Sequence, residues 1–314
     1  MVTDYKNMNN AKMEYIAFCE KKEMYIPIFS QPWWLEAVSD GDWDVIIVCE
    51  GGKIVACHPF FFIKHQNGLE IRKAPLTQNN GILVNYPKDI KYATKLSLER
   101  RVIKQIIEEV EKNDLFSYRQ YFHYSFTNWL PYYWKGYTQT TRYTYVIKDK
   151  NIDKVVAEMD SKLRNQIKKA ESLVEIFEGM DIGEFYEFNK MTFQRQGLEI
   201  PYSLKVVKNI EKECSRRNLS KIFYAKDKEN NLHAAIYLVE DDASIYYLLS
   251  ASDERFRDSQ ALSLLLKRAI EYALLKGKAF DFEGSMKENI EHNFSKFGAI
   301  QMPYMDIKKC FKEQ

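Results

Sequence analysis

Two stretches of this chain run through the same order of apolar segments, and that order limits the folds available to it. In the first half, "WDVIIVCE" and "KIVACHPFFFIKH" are β-rich runs joined by Gly51-Gly52, a pair suited to a tight hairpin turn. A short helix, "SQPWWLEAVSD", opened by Ser30 with Pro32 in its first turn, precedes them. A third strand is predicted near Leu69 to Lys73, and after a Pro/Asn/Gly loop a helix from about Tyr92 to Lys112 keeps Ile103, Ile106, Ile107 and Val110 on one face. Strand "LFSYRQYF", aromatic helical segment "FTNWLPYYWKGY" and strand "RYTYVI" complete the half. The second half gives three strands within "LSKIFYAKDKENNLHAAIYLVEDDASIYYLLSAS", then a helix, "ALSLLLKRAIEYALLK", closed by Gly277. Strand "KAFDFE", polar helix "KENIEHNFSKFG" and strand "IQMPYMDI" follow, so the plan is duplicated.

At 314 residues and 46% hydrophobic content the chain can bury one large core or two ordinary ones. Its formal charge of +2 gives no support to a protein that coats nucleic acid or binds membranes through a polybasic segment. No run approaches the length of a membrane helix, and "MVTDYKNMNNAKMEY" lacks the apolar centre of a signal peptide. The expected location is the cytoplasm, with peripheral association at the inner face of the membrane left open. Cys19, Cys49, Cys57, Cys214 and Cys310 form no CxxC pair, and the histidines form no HxxxH pair, so neither a disulfide framework nor a metal site is expected.

Between the halves, residues 150 to 220 read mostly as helix. "NIDKVVAEMDSKLRNQIKKAES" sets Arg164 and Lys168 at i and i+4, with Lys162 and Lys169 nearby, which makes either a solvated helix face or a basic binding face. "DIGEFYEFNKMTFQRQGLEIP" is a second helix, ending at Gly197 and Pro201. No low-complexity linker separates the halves.

The stretch "AFDFEGS" places acids in an aromatic strand. With period 2, Phe280 and Phe282 share one face, and Asp281 and Glu283 the other. A carboxylate inside a sheet must find a partner or have its pKa shifted, so the pair is either a structural ion pair or part of a site.

The succession "MTFQRQGLEIP", "HAAIYLVEDDASIYYLLSAS", "ALSLLLKRAIEYALLKGKAFDFEGS" and "NFSKFGA" resembles the second half of Fem-type and related GNAT-like acyltransferases. "SQPWWLEAV" resembles that family's N-terminal Trp-bearing segment, and "LRNQIKKA" its basic helix opening the second domain. The resemblance implies an α+β fold with two GNAT-like domains in tandem, residues 1–148 and 149–314, each a mixed, mainly antiparallel sheet flanked by helices. The second would carry the donor site. It also implies transfer of an acyl or aminoacyl group to an amine, with acyl-CoA as co-substrate, or aminoacyl-tRNA as the alternative donor, and no metal. The acceptor would be a small-molecule or lipid-linked amine, such as an amino sugar or cell-envelope precursor. tRNA is the less favoured partner. The chain lacks the long charged coiled-coil insertion of staphylococcal-type Fem proteins, and its "FSKFG" is compressed relative to the family's spacing.

The loop "SASDERFRDSQAL" runs from a strand into a helix N-terminus, where backbone N–H groups favour phosphate. The donor contacts expected there are Ser252, Arg255, Arg257, Ser259 and Gln260, although the stretch contains no glycine where GNAT phosphate loops are glycine-rich. An ordinary helix capped by Asp258 or Ser259 is the other reading. Asp281 and Glu283 are the candidate bases for the acceptor amine. Trp33, Arg164, Lys168, Arg195, Tyr247, Ser285 and Lys296 are the candidate acceptor contacts, with Gly284-Ser285 expected to let substrate approach the backbone. A noncatalytic module retaining the fold is the third alternative.

Overall fold

A computed structural model describes residues 10–195, 197–284 and 286–312, and the chain divides into two compact units. The first takes the chain up to Arg142 and again from Pro303; the second is Tyr143–Met302. The sequence places a boundary at 148/149 and no return, whereas the chain passes into the second unit within one strand and leaves it within the last. That return has no marker in local composition.

The first unit contains α1 (Asn10–Glu20), α2 (Pro32–Ser39), β1 (Trp43–Glu50), β2 (Lys53–His65), β3 (Gly68–Arg72), β4 (Leu83–Val84), α3 (Tyr92–Glu111), β5 (Leu115–Tyr121), α4 (Leu130–Trp134) and the start of β6 (Thr138–Ile147). β1, β2 and β3 pair antiparallel, and β3 then pairs parallel with β5 across the α3 connection. Helix α3 buries Val102, Ile103, Ile106, Ile107 and Val110 against Phe60, Ile71 and Tyr118, as its period predicts. The opening of α2 differs in detail from expectation. Ser30 is buried in a 3-10 turn, and Gln31 precedes the helix, with Pro32 in its first turn.

The second unit continues from β6 into α5 (Ile152–Glu158), α6 (Ser161–Leu173), β7 (Glu175–Glu178), α7 (Ile182–Gln194), α8 (Leu204–Ser215), β8 (Ser220–Lys226), β9 (Leu232–Glu240), β10 (Ser244–Ser252), α9 (Ala261–Leu275), β11 (Ala279–Asp281), α10 (Glu288–Ser295) and the start of β12 (Ile300–Cys310). Strands β7, β8, β9 and β10 pair antiparallel in order, β11 runs parallel to β10, and β6 runs antiparallel to β11. The single helix expected from 151 to 172 is two. Asp160 caps α6 by accepting from the N–H groups of Lys162 and Leu163, which turns the chain after α5. Strand β7 is also new relative to the sequence reading; its short "EIFE" sits in a region otherwise rich in helix signals.

Helix α9 lies on one face of this sheet with Leu264, Leu265, Ala269, Ile270 and Ala273 in a core shared with Ile236, Phe280 and Phe282. Gly277, at φ 69, closes it as expected. At that end the carboxylate of Glu240, at the end of β9, accepts from Lys276 Nζ (2.5 Å), Lys278 Nζ (2.6 Å) and Tyr272 Oη (3.2 Å). Burial pushes its pKa up, and the two lysines outweigh that and hold it below the ordinary value. The cluster ties β9, the end of α9 and the start of β11 into one frame. Glu240→Ala leaves two ammonium groups facing a buried void and is expected to lower the unfolding free energy by about 3 kcal/mol, read by urea denaturation at pH 7.

Candidate active site

Parallel strands β10 and β11 are joined by α9, a crossover that brings the carboxyl ends of two strands beside a helix N-terminus. Their ladder covers only Ser244–Tyr246 against Ala279–Asp281. There β11 stops, while β10 runs on to Ser252 through a register irregularity between Tyr247 and Leu249. Beyond Tyr246 and Asp281 the ladder between these parallel strands stops, and the chain leaves the end of β10 for the start of α9; the carboxyl ends of such strands are where open sheets bind ligands, and a helix start favours phosphate.

Asp281 stands at the parting. It lies in register between Tyr246 of β10 and Val146 of β6 and is 2% exposed. Its Oδ1 accepts from Thr144 Oγ1 (2.5 Å) and from the Glu283 N–H (2.8 Å), so both bonds converge on one oxygen and Oδ2 is left for a proton. Burial pushes this carboxyl up to about 6 from an ordinary 3.8, helped by the Asp241 charge. The Thr144 hydroxyl, the Glu283 N–H and Lys148 pull it down by less.

Glu283 is not the strand-face partner that period 2 predicts. The strand ends at Asp281, whose side chain turns back onto the Glu283 N–H, and Glu283 is half-buried at φ 58. Gly284 follows at φ 66, and a Cβ there would strike the Tyr143 carbonyl. The missing side chain thus admits the β6 backbone, where the sequence reading expected substrate. Ser285 lies outside the described residues.

The loop between β10 and α9 is a 3-10 turn, Glu254–Ser259, built on side-chain anchors. Arg255 grips Asp253 through Nε (3.0 Å) and Nη2 (2.6 Å), and Phe256 stacks on buried His233 at 4.1 Å. Ser259 Oγ donates to the Phe256 carbonyl (2.7 Å), and Gln260 Nε2 to the Arg257 carbonyl (3.2 Å). Gln260 enters α9 at φ 57 without a side-chain cap. The turn that glycines make elsewhere is made here by these anchors and one left-handed glutamine. Arg257 is exposed.

Comparison with known proteins matches residues 157–288, which include β7 to β11, to an acetyltransferase (GNAT) domain. No curated protein matches by sequence. Among solved structures, FemX superposes with a TM-score of 0.69 at 13% identity, covering 95% of this chain and 96% of its own. This chain has a Fem-like GNAT fold. A tandem GNAT protein from the clavulanic acid biosynthesis pathway, solved without AcCoA, gives 0.53 at 9% identity over 98% of this chain and 97% of that one. L-PGS from Bacillus licheniformis gives 0.54 at 12% identity, covering 98% and 93%. The α+β, tandem GNAT-like architecture expected from the sequence is the one found.

Within this Fem-like GNAT fold several expected contacts fall away from the parting of β10 and β11. Arg164 Nη1 donates to the carbonyls of Val156 (3.3 Å), Ala157 (2.8 Å) and Met159 (3.0 Å), closing the end of α5. Neither acid is its partner. Lys168 is exposed on α6. Trp33 is 8% exposed and meets Trp34 edge-on in the first unit. Lys296 ends α10, its carbonyl accepting from the Asp160 N–H (2.8 Å). Tyr247 points to the face opposite Tyr246 and Asp281, and its ring meets Phe294 edge-on; burial pushes its hydroxyl up to about 12.

Arg195 is brought to the loop. Its Nη1 donates to the Ser252 carbonyl (3.1 Å) and its Nε lies 3.4 Å from Glu254, so it fixes the end of β10 and leaves little of its charge for a ligand. The sequence reading missed Thr144 and Asp241. Thr144 is 137 residues from Asp281, and only the pairing of β6 with β11 joins them.

Because the folded pKa of Asp281 is raised, its contribution to stability is full below its ordinary 3.8 and is lost as pH rises through about 6. Asp281→Asn is therefore expected to gain on the natural protein between pH 4 and pH 7.5, by at most about 3 kcal/mol, in paired urea titrations. Gly284→Ala should lower stability by more than about 2 kcal/mol at either pH, since it combines a left-handed backbone with a backbone collision.

Proposed function

We propose that this protein is an N-acyltransferase that moves an acyl group from acyl-CoA to the amine of an amino sugar or cell-envelope precursor, with Asp281 as the proton acceptor. One observation carries the reading: β10 and β11 part at a buried, pKa-raised carboxyl beside the start of α9. The amine nitrogen attacks the thioester carbonyl, the C–N bond forms as the C–S bond breaks, the amine proton passes to Asp281 Oδ2, and the thiolate leaves to be protonated by solvent. A carboxyl poised near 6 is ionised enough at neutral pH to accept that proton and basic enough to favour the transfer. The N–H groups of the first turn of α9, with Arg257, suit the donor pyrophosphate.

An aminoacyl-tRNA donor would call for a basic face such as the run from Lys162 to Lys169. Arg164 of that run is engaged with α5 carbonyls, which weakens the run as a phosphate track.

Calorimetric titration with acetyl-CoA should give saturable binding, weakened about tenfold by Arg257→Ala and less than about threefold by Arg255→Ala, whose guanidinium already serves Asp253. With amino-sugar acceptors, Asp281→Asn should bind acetyl-CoA as the natural protein does and turn over about 10²–10⁴-fold more slowly. The natural protein's rate should rise with pH through about 6. Charged tRNA binding with no response to acetyl-CoA would reverse the choice of donor.

A further inference from the structure

The first unit carries a surface groove to which neither the donor reading nor the acceptor reading assigns a role. It lies between α3 and α4, holds about 560 Å³, and is lined by Ser97, Arg100, Arg101, Lys104, Pro131, Trp134 and Lys135. Its α3 wall is set by period. Ser97, Arg100, Arg101 and Lys104 stand at i, i+3, i+4 and i+7, the face opposite the buried Val102, Ile103, Ile106 and Ile107. Helix α4 is short, and Pro131 and Tyr132 are its buried side, which forces Leu130, Tyr133 and Trp134 outward. Trp134 and Tyr133 are each 60% exposed and Leu130 49%.

Large apolar side chains at such exposure are unfavourable in water, and here they stand beside cations. Arg101 is held by Glu50 (2.7 Å), and Lys104 (3.9 Å) and Lys135 (3.5 Å) share the single carboxylate of Glu108. Arg100 reaches the Ser97 hydroxyl at 3.2 Å. Four cations face two carboxylates, so the groove keeps a positive excess. An exposed indole and phenol flanked by Arg and Lys are the side chains that settle at the boundary between lipid headgroups and acyl chains. A nucleic acid would use the cations but would gain little from Leu130 and Pro131.

We propose that this groove docks the protein on an anionic phospholipid surface, with Arg100, Lys104 and Lys135 on headgroup phosphates and Trp134, Tyr133 and Leu130 against the first methylenes. The cations supply attraction to the charged leaflet, and the aromatic rim supplies depth. Neither acyl transfer nor the identity of the donor is required for this, so the two readings stand or fall separately.

The test is flotation of the full chain with vesicles of phosphatidylglycerol and phosphatidylcholine in equal parts, against vesicles of phosphatidylcholine alone, at low salt. The expected result is at least about a tenfold preference for the anionic vesicles, with a blue shift of tryptophan emission on binding. Arg100→Glu with Lys104→Glu should lower vesicle binding by about tenfold or more. Trp134→Phe should keep binding and lose most of the blue shift, because Trp33, Trp34 and Trp43 are buried and Trp129 is half-buried with its ring edge-on against Tyr133. All these substitutions are at exposed positions, so melting curves like the natural protein's are expected to accompany them. Equal flotation with both compositions, charge-reversed protein that still floats, or a blue shift undiminished by Trp134→Phe would each overturn the proposal. Retention on RNA lost in the charge-reversed variant, without vesicle binding, would assign the groove to nucleic acid instead. Displacement from anionic vesicles by inorganic phosphate at millimolar concentration would reduce it to a simple anion site.

Discussion

Strand β11 is short, and the second unit is organised around that shortness. It pairs with β10 on one side and β6 on the other, yet ends at Asp281, so the ladder to β10 stops there. A longer strand would continue the ladder. What stops it is local: the Asp281 carboxyl draws in the Glu283 N–H, Glu283 takes a left-handed backbone, and Gly284 packs against the β6 backbone where no Cβ fits. The carboxyl that ends the strand is the buried one that desolvation raises.

The surrounding structure maintains this arrangement from both ends. The Glu240 cluster with Lys276, Lys278 and Tyr272 fixes the far end of the crossover. At the near end, Arg195 on the Ser252 carbonyl, Arg255 on Asp253 and Phe256 on His233 hold the loop that delivers α9. Several charges read from sequence as ligand contacts are thereby used as struts. Arg164, Arg195 and Arg255 each already hold a carbonyl or a carboxylate, and the rigidity they give is what lets a helix start and a buried acid stay in register.

Much of the fold was legible in the sequence. The hairpin at Gly51-Gly52, the α3 face and the run from β8 through α9 to Gly277 follow from turn chemistry and apolar period, which are local properties. The break between α5 and α6 was missed because a continuous charged pattern hid the Asp160 cap. Of the candidate site, Asp281 and the loop before α9 are legible as an acid in an aromatic strand and as arginines before a helix. Trp33 is buried, and an aromatic residue looks the same in sequence whether it packs inside or stacks on a ligand.

The sequence by itself determined most of the longer strands and helices with their strong apolar period, and that an acid would sit at the end of an aromatic strand. Backbone sterics and side-chain period act over a few residues, and neighbours along the chain suffice to set them. Only the tertiary structure decided that Thr144 would meet Asp281, that the last strand from Pro303 would return to the first unit, and that Gly284 would serve the backbone of Tyr143. Burial of Asp281, and with it the rise of its pKa, likewise depends on strands far apart in the chain excluding water from one carboxyl. Desolvation is set by everything that surrounds a group, and for Asp281 those surroundings are assembled only by folding.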